Sequence, residues 1–326
     1  MYNGLEIIDF HTHFPTRQRT FIEGAPDYRR QYVERRGERR AQIAREQAMQ
    51  YNRQWRATWG FDPPERGDIS DEELADRWAA EIDQYGLRAV GFVTGGGNKN
   101  LAKIVSRYPE TFIGFAHHYP FAENAAAELR RAVREDGMKA YKLLAPTLDR
   151  PVEDEAAYPV WEACAELDIP VLIHFGIQGS GGGIAWHENI NPLKLHNVAK
   201  DFPDVTFVVP HFGCAWIRET LQLCWACANV SIDTSGSNQW VKWVDGDWTT
   251  KKLFQKYMET IGPERIVFGT DSSYFPRGFA EPYLSSQIRD VRELNYREDD
   301  IQMIFAGNAA RLFKIELQGS SSDAEK

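Results

Sequence analysis

Five residues of this 326-residue chain combine side-chain types and positions that could hold a metal ion: His11, His13, His174, His211 and Asp271. His11 and His13 stand two apart, directly after the apolar, partly β-branched stretch 5–10. Such a stretch reads as a buried strand, and side chains two apart on a strand point the same way. Two imidazoles would therefore aim at one point, and neutral imidazole is the commonest nitrogen ligand for zinc and its neighbours. Taken alone, a His-X-His pair reads equally as two polar residues ending a strand. The other three shift the balance, because each ends a further apolar run: His174 ends 170–174, His211 ends 205–211 and Asp271 ends 265–271. Three histidines and a carboxylate around an open position match a catalytic metal site. A divalent metal lowers the pKa of its water from 15.7 to roughly 7. Asp271, the strand-end carboxylate of the set, could touch the metal and still take a proton. His211 could donate to a developing oxyanion.

The elements that must position these residues alternate regularly. Strand patterns cover 5–10, 87–93, 112–118, 138–144, 170–175, 205–211, 230–234 and 265–271. Helical patterns cover 74–85, 98–107, 123–135, 155–167, 192–201, 215–227, 249–261, 281–293 and 299–313. Eight βα units predict a parallel sheet closed as a single (β/α)8 TIM-type barrel over 1–317, with 318–326 a disordered tail. In such a barrel the active site lies at the C-terminal ends of the strands, where the five candidates fall.

The totals narrow the function. With 43% hydrophobic residues the chain can bury one large core, and its net charge of −9 argues against nucleic-acid binding. No apolar run approaches the roughly 20 residues that span a membrane, and the start lacks a signal-peptide pattern. The four cysteines fit a reducing cytoplasm, and Cys224-X-X-Cys227 reads as two small buried residues on one helix face.

Between the first two strands, residues 15–70 form an insertion whose middle is helix-prone and rich in Arg. It reads as a solvated face, with a lid or a homo-oligomer contact as the alternative. Tyr51, Trp55, Trp59 and Phe61 read as packing. The glycine-rich loop 176–187 lacks the ending of a phosphate-binding loop and is expected to cover the site, with Trp186 and His187 as candidate substrate contacts. One of His117 and His118 could face the pocket, although core or surface is the plainer reading. Arg277 could clamp a substrate carboxylate, since guanidinium binds carboxylate with two parallel hydrogen bonds.

The stretches 8–13, 169–174, 208–213 and 268–272, in this order, resemble the motifs of the amidohydrolase superfamily. The nearer likeness is to its amidohydrolase-related branch, which includes aminocarboxymuconate-semialdehyde and hydroxybenzoate decarboxylases. The resemblance implies that His11, His13, His174 and Asp271 bind one Zn²⁺, or Mn²⁺, with His211 beside it as the group that orients or polarises substrate. Many two-metal members end strand 4 with a carboxylated lysine. Lys142 could take that part, or act as a substrate-binding or structural lysine. Two reactions follow. The first is hydrolysis of an amide, ester or lactone in a small, acidic, cyclic molecule by metal-activated water. The second is non-oxidative decarboxylation of an aromatic or unsaturated acid. A non-enzymatic metal scaffold is a third class, disfavoured because ligands open to a barrel mouth make poor structural sites.

Overall fold

A computed structural model describes residues 1–18, 24–176, 187–242 and 244–317. Eight strands appear in chain order: β1 Ile8–Thr12, β2 Ala89–Phe92, β3 Phe112–Ala116, β4 Ala140–Leu144, β5 Val171–His174, β6 Phe207–Val209, β7 Val230–Asp233 and β8 Ile266–Val267. Each pairs in parallel with the next, from β1 to β8. The ring is drawn closed where the Phe10 amide donates to Phe268 O at 3.0 Å and the Asp271 amide to His11 O at 2.9 Å. This is the expected (β/α)8 barrel. The strands are shorter than their apolar runs because burial, which the pattern reports, extends past the hydrogen-bonded ladder.

The inward face has two tiers. Ile8, Phe10, Ala89, Ile113, Phe115, Ala140, Leu172, Val208 and Val267 fill the lower one. The C-terminal helix Asn308–Phe313 plugs it from below, stacking Phe313 on Phe10 at 4.8 Å and meeting Phe115 edge-on at 5.6 Å. The upper tier holds the polar candidates. Outside, the helix Asp71–Tyr85 shows how the shell is built. Ser70 Oγ accepts from the Glu73 amide, acidic residues fill the first turn, and Gly86 ends the helix in the left-handed region. Leu74, Ala75, Trp78 and Ile82, spaced one helical face apart, are buried against the barrel. Each large apolar side chain so buried contributes about 1.5–3 kcal/mol.

The insertion forms two helices, α1 Tyr28–Arg36 and α2 Glu38–Trp59, broken at Gly37, whose φ of 82° a side chain would resist. Most of α2 is exposed, including Ile43, Met49 and Tyr51. Its continuation docks onto the segment after β8: the Glu65 amide donates to Phe275 O at 2.9 Å, and Tyr274 Oη donates to Asp62 O at 3.2 Å. So the insertion does reach the barrel mouth, through residues 61–65. Among the described residues no helix is long and apolar enough to cross a membrane. Residues 318–326, expected as a tail, lie outside the described residues.

Candidate metal centre

A register shift in β1 sets the first two ligands. Ile8 and Phe10 face inward, and the pairing with β2 then slips between Asp9 and Thr12. Such a bulge re-aims the side chains beyond it. His11 and His13 follow on one side, their ring centroids 5.5 Å apart. Asp9 anchors the bulge. It is fully buried and accepts from the His11 amide and the Thr270 amide, both at 3.1 Å. Burial raises its pKa to about 7, against those hydrogen bonds.

Each imidazole has one nitrogen committed and one left over. His11 Nδ1 donates to Asp233 Oδ2 at 2.7 Å, and its buried Nε2 has no hydrogen-bond partner among the described residues. His13 Nδ1 meets Thr94 Oγ1 at 2.7 Å, and its Nε2 lies 3.1 Å from Asp271 Oδ1. His174 Nδ1 lies 3.1 Å from His211 Nε2, and its own Nε2 is buried and unpartnered. Asp271 Oδ1 is also 4.0 Å from His11 Nε2. Orphaned, buried imidazole nitrogens beside a carboxylate are what a divalent metal would satisfy. The residues present therefore fit a metal, and the carboxylate behind His11 is the outer-shell partner that ligating histidines usually have.

The protonation states agree with such a site. Burial lowers His11 to about 4, opposed by Asp233, so its lone pair is free at neutral pH. Burial, with His211 next, holds His174 well below its usual range. Burial raises Asp271, but the His13 contact and the surrounding imidazoles outweigh it and keep the side chain a carboxylate. Asp271 and His211 both sit at positive φ, 61° and 62°, a strained region for residues with a side chain. Gly236 makes room for them: a Cβ there would lie 3.2 Å from Asp271 Oδ2 and 3.4 Å from His211 Nδ1.

His211 departs from its expected pose. Its Nδ1 is 2.8 Å from Ser235 O, which can only accept, so Nδ1 carries the proton. Nε2 then accepts from His174 Nδ1–H. In this network His211 has no spare N–H aimed at the mouth, and it is arranged to accept a proton rather than to donate to an oxyanion. Asp271 is not the only strand-end carboxylate among the described residues. Asp233, at the end of β7, is a second strand-end carboxylate, fully buried and also accepting from the amides of His211 and Ser235. Its place at the end of the apolar run Val230–Asp233 is the sequence signal that points to it.

Lys142 is buried on the inward face of β4, above Ala140. Burial lowers it to about 7, opposed by Asp233 and Asp271. His117 continues the inward series Ile113, Phe115 and donates from Nδ1 to Lys142 O at 2.8 Å. His118 faces outward and donates to Ala125 O at 2.9 Å. Arg277 reaches the site's edge, its Nη1 donating to Asp271 O at 3.2 Å. Trp186 lies outside the described residues, with the loop 177–186. His187 opens the short helix His187–Ile190, and the placement of its side chain lies outside what is described.

Comparison with known proteins places this geometry in context. A hydratase of Sphingobium sp. named for 2-keto-4-carboxy-3-hexenedioate is 27% identical over 240 residues, covering 66% of this chain and 70% of that one. The 5-carboxyvanillate decarboxylase of Novosphingobium aromaticivorans, solved with manganese and 4-hydroxy-3-methoxy-5-nitrobenzoic acid, superposes with a TM-score of 0.62 at 18% identity, covering 96% of this chain and 97% of that one. A probable 2-pyrone-4,6-dicarboxylic acid hydrolase of Acinetobacter baumannii, solved with citric acid, gives 0.61 at 14% identity, covering 95% and 100%. At these identities the two solved structures establish the fold alone. The amidohydrolase family model matches residues 8–315. The chain belongs to the amidohydrolase family.

Proposed function

We propose that this enzyme is a metal-dependent hydrolase that adds water to an amide, ester or lactone of a small, acidic, cyclic molecule. The observation that carries the reading is the pair of orphaned Nε2 atoms, on His11 and His174, beside the contact of His13 Nε2 with Asp271 at 3.1 Å. His11, His13, His174 and Asp271 would hold the ion, with zinc or manganese the fitting choices. A bound divalent ion acidifies water to near neutrality. Asp271, kept a carboxylate, would accept the proton of the attacking water and return it to the leaving nitrogen or oxygen as the C–N or C–O bond breaks. His211, with Nδ1–H fixed on Ser235, takes a proton at Nε2 once the His174 contact yields. Asp233 fixes the tautomer of His11, so that Nε2 carries the lone pair. Water is also the co-substrate implied by the names of the hydratase and the probable hydrolase.

The second reading is decarboxylation, in which Asp271 or His211 would first take up a proton from solvent and then hand it to the carbon that loses carbon dioxide. It is favoured by the superposition on the manganese-bound decarboxylase. A screen of small lactones, cyclic amides and aromatic acids in ¹⁸O-water separates the two. Products that gain the mass of water with one solvent oxygen support hydrolysis. Turnover that releases carbon dioxide without solvent oxygen refutes it.

A further inference from the structure

Beside the histidine cluster, Arg277 makes no ion pair among the described residues. Nη1 is tied to Asp271 O. Nε and Nη2 are both buried and make no hydrogen bond among the described residues. These two atoms form one edge of the guanidinium, the planar fork that matches the two oxygens of a carboxylate. The plane is already fixed. Cζ lies 4.4 Å from the ring centroid of Phe61, in the insertion, and 5.4 Å from that of Tyr283. Ring faces steady the charge but do not fill an N–H. Elsewhere half-buried arginines find carboxylates: Arg77 pairs with Glu65, and Arg131 with Glu128 and Asp136. Leaving two buried donors of a cation unfilled is costly, and a ligand that brings two oxygens removes the cost.

We propose that the Nε–Nη2 edge of Arg277 seats a carboxylate of the substrate other than the group that reacts. The substrate is then an organic acid with a carboxylate set apart from the reacting bond, and Phe61 brings the insertion over that end of it. The proposal deepens the hydrolase reading and rests on it only for where the reaction occurs. Because Nη1 hangs on the backbone of Asp271, the seat lies next to the metal ligands and outside them. A lysine would supply the charge without the fork, so the arrangement discriminates between the two side chains.

The probe is glutarate, a five-carbon dicarboxylate, titrated calorimetrically into the purified metal-loaded protein, with adipate as the six-carbon counterpart. Arg277→Gln is expected to weaken binding by about tenfold to a hundredfold. Arg277→Lys is expected to recover only part of the loss, with melting temperatures unchanged in both. Equal affinity in Arg277→Gln overturns the proposal, and so does full recovery by lysine or failure of the parent to bind either acid at millimolar concentration. His174→Ala separates this from the metal reading. Binding kept in His174→Ala but lost in Arg277→Gln supports the seat even if the metal assignment fails. The reverse pattern puts the carboxylate among the histidines and overturns it.

Discussion

The lower and upper tiers of the barrel interior are built on the same strands, often one inward position apart. On β1 the change comes between Phe10 and His11, on β4 between Ala140 and Lys142, and on β5 between Leu172 and His174. Below, three phenylalanine rings meet within 5.6 Å and every partner is apolar. Above, imidazoles and carboxylates are buried with donor atoms left over. Such groups are expensive to bury unless something else satisfies them. The floor therefore carries stability and the mouth trades stability for chemistry, so changes in one should leave the other's observable alone.

Phe313→Ala tests the floor and should have the largest effect. It removes a ring packed on Phe10 and Phe115, and chemical denaturation should show a loss of about 3–5 kcal/mol, with metal content per chain unchanged. Loss of metal at wild-type stability would mean that the tiers are not separable. Asp233→Asn tests the mouth from behind. The amide keeps the shape but weakens the hold on His11 Nδ1–H, and chelator competition should show metal affinity falling about tenfold to a hundredfold. Unchanged affinity, with unchanged melting of the metal-free protein, would remove Asp233 from the positioning role.

A smaller effect sharpens the boundary at β3, where His117 faces in and His118 faces out. Burial lowers His118 to about 4, whereas an unfolded histidine titrates near 6.5. Between those values the unfolded chain binds more protons, so this contribution is complete above pH 6.5 and is lost as the pH falls towards 4. His118→Gln should flatten the stability curve across that window by at most about 1.4 kcal/mol per pH unit. An unaltered slope would mean that His118 is not held neutral by its packing.

The barrel was legible because eight apolar runs alternate with helical ones, and burial alone writes that pattern. The strand-end histidines were legible for the same reason, since the fold states where strand ends meet. The inward choice of His117 is written in its alternation with Ile113 and Phe115, a local rule that the sequence reading left open between the two histidines. The slip in β1 is not local. It depends on pairing with β2 on one side and on Asp9 reaching Thr270 on the other. Asp233 was hidden by its role, because it supports His11 across 222 residues of chain and does not itself stand in a ligand motif. The surroundings of Arg277 join the insertion to the segment after β8, a contact no periodicity reports. The pose of His211 depends on Ser235 and His174 together, and so could be read only from the assembled strands.

Metal content of the purified protein, beside that of His174→Ala, tests most directly whether the upper tier holds a metal. About one zinc or manganese per chain in the parent, with clear loss in the variant, is the predicted result. Absence of metal in the parent, even after growth with both ions supplied, would contradict it and leave the orphaned nitrogens of His11 and His174 without an explanation.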